Sequence, residues 1–514
     1  MDDQRDVVSF LSSSAAYGTT EPVEHHETHG SHVFLSRTRA YKLKRAVRYP
    51  YMDYSTVDRR RRMCEREVSV NRRTAPRLYL GVRAIVRNEQ GNLTLANDTA
   101  SDAVDWVVEM RRFGEEALLD KMCRRGELTL PLTSTLAEQV ADFHATAEVQ
   151  KNAGGSAEIG RIIAGDIEAF RDAGTSPFAA GKLERWARLA WRRLDRDSSL
   201  LDRRQDEGFV RRCHGDLHLN NICLIDEEPV LFDAIEFNDR FTCIDVLYDL
   251  AFLLMDLDRH GLRERACQLL NRYLERTHDY GGLAAIPLFL SCRAAIRAHV
   301  TAAAARISTS GSPSSRLHEA EGFLDQAIDY LAKPEHPRVV VVSGLSGTGK
   351  STLARMLAPH LGMTPGAVIL RSDVIRKQMF GVDDDTILPP SAYSDEVTAQ
   401  VYRHIADVSV AIVEAGYTVI ADAVYGRESE RVQIEAAAHS RQVPFSALWL
   451  VAEQSTLEAR IAARRNDPSD ATVDVVRRQR AVIQPPLSWT PINAAGSKTD
   501  VLDRILAVIH SMVG

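Results

Sequence analysis

Short apolar runs punctuate the first 113 positions: SHVFLSR from Ser31, AYKLKRA from Ala40, LYLGVRAIV from Leu78, GNLTLAN from Gly91 and AVDWVVEMRRF from Ala103. Runs of this kind, rich in β-branched and aromatic residues and bounded by polar or glycine positions, predict strands. Between them, Tyr54 to Thr74 carries the spacing of one long amphipathic helix. From about residue 115 to 205 the pattern is helical. Two strand-like pieces follow, NICLID from Asn221 and PVLFDAIEF from Pro229, and helices then run to about residue 331.

Beyond that point the texture changes. Buried-strand patterns at RVVVVSG, AVILRSD, TVIADA and FSALWLVA alternate strictly with helical stretches, the last ending near Ile483. Strict alternation requires crossover connections, hence a mostly parallel sheet covered on both faces. Lys333, Pro334 and Pro337 interrupt the preceding helix, and proline cannot continue one, so a domain boundary is expected at about 332–338. The polar stretch STSGSPSSR at 308–316 is expected to be a surface loop. The predicted architecture is an α+β bilobal domain over 1–332, with a small lobe to about 113 and a large lobe from about 114. An α/β domain over 338–514 follows it.

The chain has 514 residues, 45% hydrophobic and 26% charged, enough for several substantial cores. Its net charge of −6 argues against sequence-independent nucleic-acid binding. The densest basic run, Arg59 to Arg62, is bracketed by Asp58 and Glu65 and reads as a solvated helical face. No apolar run reaches the ~18–20 residues that span a bilayer, and the start MDDQRDVVSFLSSS is acidic where a signal peptide is basic. A cytoplasmic protein without membrane or nucleic-acid partners is the expectation. Seven cysteines without CxxC pairs imply neither a disulfide framework nor a zinc site.

Two constellations carry chemistry. In HGDLHLNN, Asp216 and Asn221 are five apart, and Asp233 follows a short strand in LFDAIEFN. Phosphoryl transfer needs a carboxylate to orient or deprotonate the attacking hydroxyl and oxygen ligands to hold Mg2+ against the phosphates. Asp216 suits the first role; Asn221 and Asp233 suit the second. This segment resembles the aminoglycoside phosphotransferase family, of protein-kinase-like fold, over about 211–254. There DVLYDLAFLL looks like the helix after the metal site, with Asp249 structural. The resemblance implies a small-lobe lysine on the α/β phosphates held by a helical glutamate. Lys42 and Lys44 share one face of a strand, and Glu65 and Glu67 lie on the long helix, with Lys42 and Glu67 the preferred pair. No glycine-rich loop precedes Lys42. Instead Thr28, Gly30 and Ser31 in EHHETHGSHVFL would cover the phosphates, and His25, His26, His29 and His32 lack the companions of a metal cluster. Val108 to Met110 would face adenine.

The second constellation is GLSGTGKS, a G-x-x-x-x-G-K-[ST] match between a predicted strand and a predicted helix. Gly344, Ser346, Gly347, Thr348, Gly349, Lys350, Ser351 and Thr352 would cradle ATP, with Ser351 on Mg2+. Asp422, ending the strand TVIADA, is the expected metal partner. Its lack of a following Glu favours transfer over hydrolysis. Asp373, at the end of the strand AVILRSD, would face the acceptor, with Arg376 one turn on. Arg460, Arg464 and Arg465 lie on a basic helix and its end, where guanidinium groups would meet the transferring phosphoryl. This half resembles the zeta-toxin-like and gluconate-kinase-like P-loop kinases over about 338–485.

The combination resembles a bacterial fusion of phosphotransferase-like and P-loop domains. It implies a bifunctional ATP-dependent kinase acting on small hydroxylated, sugar- or amino-sugar-like acceptors with ATP and Mg2+. Asp256 and Asp258 would suit a cationic acceptor in the first domain; Arg293 and Arg297 would suit an anionic one. The alternative is an ATP-binding regulatory protein whose P-loop domain senses or slowly hydrolyses nucleotide.

Overall fold

The computed structural model describes residues 3–49, 51–172, 178, 181–307, 313–332, 336–463 and 469–511. Arg464 and Arg465, together with Lys333, Pro334 and residues 308–312, lie outside the described residues; residues 313–316, expected to be loop, instead open the helix Pro313–Ala332, a first-turn place that proline tolerates. The chain divides into two compact units, one of residues 1–162 and 201–256, the other of 163–200 and 257–514.

In the first unit, strands β1 (Glu24–Glu27), β2 (Ser31–Leu35), β3 (Arg39–Lys44), β4 (Tyr79–Arg87), β5 (Leu93–Ala96) and β6 (Asp105–Arg111) form one sheet. Its order is β1-β2-β3-β6-β4-β5, and every pairing is antiparallel. Helix α1 (Val57–Asn71) packs across one face. Successive strand residues point to opposite faces. Tyr41, Leu43 and Val107 bury on the far side with Val7, Leu11, Phe34 and Ile85. Val108, Trp106, Cys64 and Val68 bury on the side of α1. Lys42 and Lys44, out of phase with Tyr41 and Leu43, therefore face α1. Strand β1 went unforeseen, because EHHE is polar and exposed along its whole length; only pairing with β2 makes it a strand.

The basic run on α1 is not uniformly solvated. Arg60 is fully buried, its Nε donating to Asp105 at 2.7 Å and its Nη1 to the Tyr54 carbonyl at 3.0 Å. Arg61 does pair at the surface with Glu65, which removes Glu65 from the lysine pairing. Beyond the sheet, a hairpin of β7 (Ile222–Ile225) and β8 (Glu228–Leu231) connects the HGDLHLNN loop to Asp233. Helix α2 (Val246–Arg259) follows.

The second unit holds a five-stranded, all-parallel sheet. After helix α3 (Arg263–Thr277), its strands are β9 (Val339–Gly344), β10 (Val368–Arg371), β11 (Val419–Asp422), β12 (Phe445–Val451) and β13 (Thr490–Asn493). The order is β10-β11-β9-β12-β13. Strand β13 and the closing helix Lys498–Ser511 extend past the predicted elements. Helices 257–332 cluster with the parallel sheet rather than with the antiparallel one, so the expected boundary at 332–338 falls inside this unit. The physical cause is α3, whose Cys267 is buried in the hydrophobic cluster of β9 to β13. One helical stretch here, Tyr280–Ala305, is long and apolar enough to cross a membrane, contrary to the sequence expectation. Of its most apolar window, 72% is buried inside the protein, as in a core helix.

Candidate functional site

Two sites form, one in each unit. The first is organised by Glu67, fully buried on α1, whose two oxygens meet two lysines: Lys42 Nζ at 2.9 Å and Lys44 Nζ at 2.6 Å. Each lysine has a second carboxylate, Asp233 Oδ1 at 2.5 Å for Lys42 and Glu236 Oε1 at 2.5 Å for Lys44. Burial alone would lower the pKa of both lysines. The carboxylates outweigh it and hold both pKa values well above the ordinary lysine range, Asp233 acting first on Lys42 and Glu236 first on Lys44. Burial would raise the Glu67 carboxyl, but Lys42 and Lys44 pull it far below its usual value. Glu67 thus holds both lysines rather than choosing between them.

Asp233 sits at φ 62°, in the left-handed region. Its N–H donates to Tyr79 Oη at 3.1 Å, and the next residue is clamped by Asn71 of α1, which accepts from Ala234 N at 2.7 Å and donates to Ala234 O at 3.3 Å. The HGDLHLNN loop is held by Asp249 of α2, whose oxygens accept from His214 N at 3.0 Å and Gly215 N at 2.9 Å. Asp256 accepts from Leu219 N at 3.0 Å, so it supports the loop. Asn221 Nδ2 donates to Asp216 Oδ2 at 2.8 Å, which turns its amide oxygen the other way. His218 Nδ1 accepts from Asn220 N at 3.3 Å, and its Nε2 lies 3.3 Å from Asp216 Oδ2 and 3.4 Å from Asn221 Nδ2. His214 is buried, and burial lowers its pKa. Its Nε2 bonds the Phe232 carbonyl at 2.9 Å, tying the loop to the approach of Asp233.

Glu236, Tyr54, Asn71 and His218 were missed. Glu236 and Asn71 had a signal: a carboxylate or amide inside an apolar pattern must find a buried partner. The other candidates are placed as follows. Asp258 accepts from Tyr330 Oη at 2.7 Å. Arg293 is buried, and the Arg297 guanidinium lies 5.7 Å from the Phe323 ring centre. Thr28, whose Oγ1 accepts from Ser31 N at 3.0 Å, closes the β1–β2 turn. His25 and His32 approach each other at 3.1 Å, while His29 bonds Tyr51.

The second site is a cavity of about 1220 Å³ lined by Ser346 to Thr352, Arg371, Asp373, Arg376, Asp422 and Arg460, among others. The glycines fit their places: Gly344 and Gly347 have φ of 135° and 85°, and a Cβ on them would lie 2.6 and 2.8 Å from the carbonyls of Leu450 and Leu457. Gly349, at φ 93°, caps helix α4 (Lys350–Leu357), whose N-terminus opens on the cavity. Lys350 Nζ donates to Leu345 O at 3.2 Å, and Arg460 Nη1 to Thr348 O at 3.0 Å.

Asp422 is buried, and burial raises its carboxyl pKa against the pull of Arg371 and Lys350 and a hydrogen bond from Ser351. Its Oδ2 accepts no hydrogen bond. Asp373 lies in the first turn of helix α5 (Ser372–Met379) rather than at the strand end, because β10 stops at Arg371. Arg376 is buried beneath the Tyr393 ring at 4.9 Å and donates to Ala392 O at 2.6 Å.

The candidate metal donors are oxygens throughout: the Asn221 amide and Asp233 in one site, the Ser351 hydroxyl and Asp422 in the other. Such donors suit a hard cation such as Mg2+, and the unbonded, buried Asp422 Oδ2 is an atom such a cation would satisfy.

Residues 112–286 match the phosphotransferase enzyme family, and residues 339–486 match the family described as AAA domain. Uncharacterized proteins of Mycobacterium tuberculosis and Mycobacterium bovis are each 28% identical over 470 residues, covering 89% of this chain and 89% of theirs. The adenylyl-sulfate kinase of Myxococcus xanthus is 28% identical over 123 residues, 24% of this chain and 62% of that enzyme. Among solved structures, a choline/ethanolamine kinase family protein from Mesorhizobium loti covers 64% of this chain and 94% of its own, at 11% identity and a TM-score of 0.40.

Proposed function

We propose that this chain, an ATP-dependent phosphotransferase joining an aminoglycoside phosphotransferase-like domain to a P-loop kinase-like domain, passes the γ-phosphoryl of ATP to small hydroxylated acceptors at two separate sites. The domains are taken as 1–332 and 338–514. What supports this is one observation made twice. In each unit a cation suited to phosphate shares a site with an oxygen ligand suited to metal: Lys42 paired with Asp233, and Lys350 lining the same cavity as Asp422.

In the first site, Lys42 holds the α/β phosphates and Glu67 fixes its position. Asp216 receives the proton of the acceptor hydroxyl; the amide of Asn221, which donates to it, orients its carboxylate, with the His218 ring alongside. In the second site, the backbone N–H groups of 346–352 and Lys350 bind the triphosphate. Asp373 receives the acceptor proton, and Arg460 meets the charge on the transferring group. Mg2+, held by Asn221 and Asp233 in one site and by Ser351 and Asp422 in the other, would neutralise triphosphate charge. Both sites work by positioning and charge compensation around a loose transition state. Such chemistry suits a cytoplasmic enzyme of small molecules.

The test uses γ-labelled ATP and a metabolite extract with wild type, Asp216→Ala and Lys350→Ala. Each variant is expected to lose a different labelled product. If both variants label the same products as wild type at unchanged rates, both site assignments fail. ATP turnover that no acceptor in the extract stimulates would instead favour a nucleotide-sensing regulator.

A further inference from the structure

Strand β10 is an edge of the parallel sheet. An edge strand presents unpaired N–H and C=O groups, which must be covered or solvated. Here they are covered by the side-chain amide of a helix. Asn271 of α3, nearly buried, accepts from Ile369 N at 2.7 Å and donates to Ala367 O at 3.0 Å. Those two groups flank Val368, and a neighbouring strand would bond the same pair. Asn271 therefore stands in for a sixth strand.

The helix approaches closely along its length. Cys267 packs so near the start of β10 that a Cβ on Gly366 would lie 2.7 Å from its sulfur. Arg263 donates to the carbonyls of Gly362 at 3.1 Å and Pro365 at 3.2 Å. At the other end, Arg272 pairs with Asp384 at 2.6 Å, and Gln378 of α5 donates to the Glu275 carbonyl at 2.8 Å. The Asp384 carbonyl in turn accepts from Lys377 of α5 at 2.7 Å. Helix α3 thus grips the segment 362–384 before and after its central part, and that part carries Asp373 and Arg376 into the cavity.

We infer that α3, a helix inside the phosphotransferase-family match at 112–286, is a positioning element of the P-loop site, with Asn271 and Arg272 setting its acceptor-side wall. The inference rests on the assignment of Asp373 to the acceptor. It leaves the nucleotide side alone, because the phosphate loop belongs to β9 and α4, in the interior of the sheet. It also gives the fusion a physical reason: the second site borrows a wall from the first domain's helices.

Three variants of the full chain test it: Arg272→Ala, which removes the mostly buried ion pairs to Asp384 and Glu275 and keeps the apolar core, Asn271→Asp, which keeps the oxygen facing Ile369 N, and Asp373→Asn. The readout is the Lys350-dependent labelled product, measured against dilutions of one metabolite extract and, separately, against MgATP. Arg272→Ala and Asn271→Asp should each lower product formation at limiting extract by about ten-fold, within the ~100-fold that a 1 Å misplacement can cost. The KM for ATP at this site should stay within about two-fold, and Asp216-dependent products should be unchanged. Equal losses toward extract and ATP, or no loss in either variant, would overturn the positioning role. If Asp373→Asn itself leaves the product unchanged, the acceptor assignment fails instead, and the inference falls with it.

Discussion

Replacing Glu67 with glutamine tests the core of the first site, because one buried carboxylate serves two buried ammonium groups. Removing the sole partner of a buried charge costs about 3–5 kcal/mol. Glu67→Gln leaves neither lysine alone: Lys42 keeps Asp233 and Lys44 keeps Glu236, each at 2.5 Å. What is lost is the charge in one hydrogen bond, to Lys44, and in one close ion pair, to Lys42, each worth ~1.5–3 kcal/mol when charged and ~1 when neutral, so the net cost should be about 2–3 kcal/mol. Lys44→Met is the harsher change, since among the described residues it leaves the buried Glu236 with the Tyr54 hydroxyl at 2.5 Å as its hydrogen-bond partner and no direct ion pair. It should reach the ~3–5 kcal/mol of an orphaned charge. Calorimetry of the full chain at pH 7.5 should show the first unit's transition ~4–12 °C lower for Glu67→Gln, at ~2–4 °C per kcal/mol, and lower still for Lys44→Met. The sign with pH is fixed. The Glu67 carboxyl is depressed in the folded state, so its contribution is full above its ordinary value of 4.5 and disappears as pH falls toward its folded value of about 2. Wild type and Glu67→Gln should therefore converge below pH 4.5. A Glu67→Gln variant less stable than Lys44→Met, or one within about 0.5 kcal/mol of wild type, the range of a surface substitution, would refute a shared carboxylate as the organising group.

Three further outcomes are expected. Burial raises the Asp422 carboxyl above its ordinary value, so its stabilising contribution is present below pH 3.8 and lost as pH rises through the folded value. Asp422→Asn should therefore abolish the Lys350-dependent product yet raise the second unit's melting temperature at pH 7.5, a gain that vanishes near pH 4; a lower melting temperature at pH 7.5 would contradict this. Gly215 has φ 85°, and a Cβ there would sit 2.7 Å from the Phe241 carbonyl. Gly215→Ala should cost ~1–3 kcal/mol and slow the Asp216-dependent reaction without touching the other, as product assays on the two sites will reveal. Asn71→Leu orphans the Ala234 N–H and should cost ~1–3 kcal/mol in denaturant unfolding, with a raised KM for ATP at the first site; an unaltered KM would show that the clamp does not place Asp233.

The local chemistry was legible because it is written in short spacings. Asp216 and Asn221 bond across five residues, the phosphate loop lies between a strand and a helix, and the alternation of Tyr41, Lys42, Leu43 and Lys44 assigns each to a face. These depend on backbone period and neighbouring positions, which one stretch of chain contains. Partnerships were not legible in the same way. Nothing near Lys44 in the chain names Glu236, 192 residues away, and Arg60, read as solvated, finds Asp105 only when α1 lies against the sheet. Asp373 moved from strand to helix because the pairing of β10 with β11 ends at Arg371 and Asp422, and the open edge of β10 is covered at Ala367 and Ile369 by Asn271, far away in the chain. A residue's period is a property of its own segment, whereas burial and pairing belong to surfaces that meet only after folding. The reaction class could thus be inferred from short motifs and the family resemblance they carry, but which groups share a charge, and which helix completes which sheet, was decided in three dimensions.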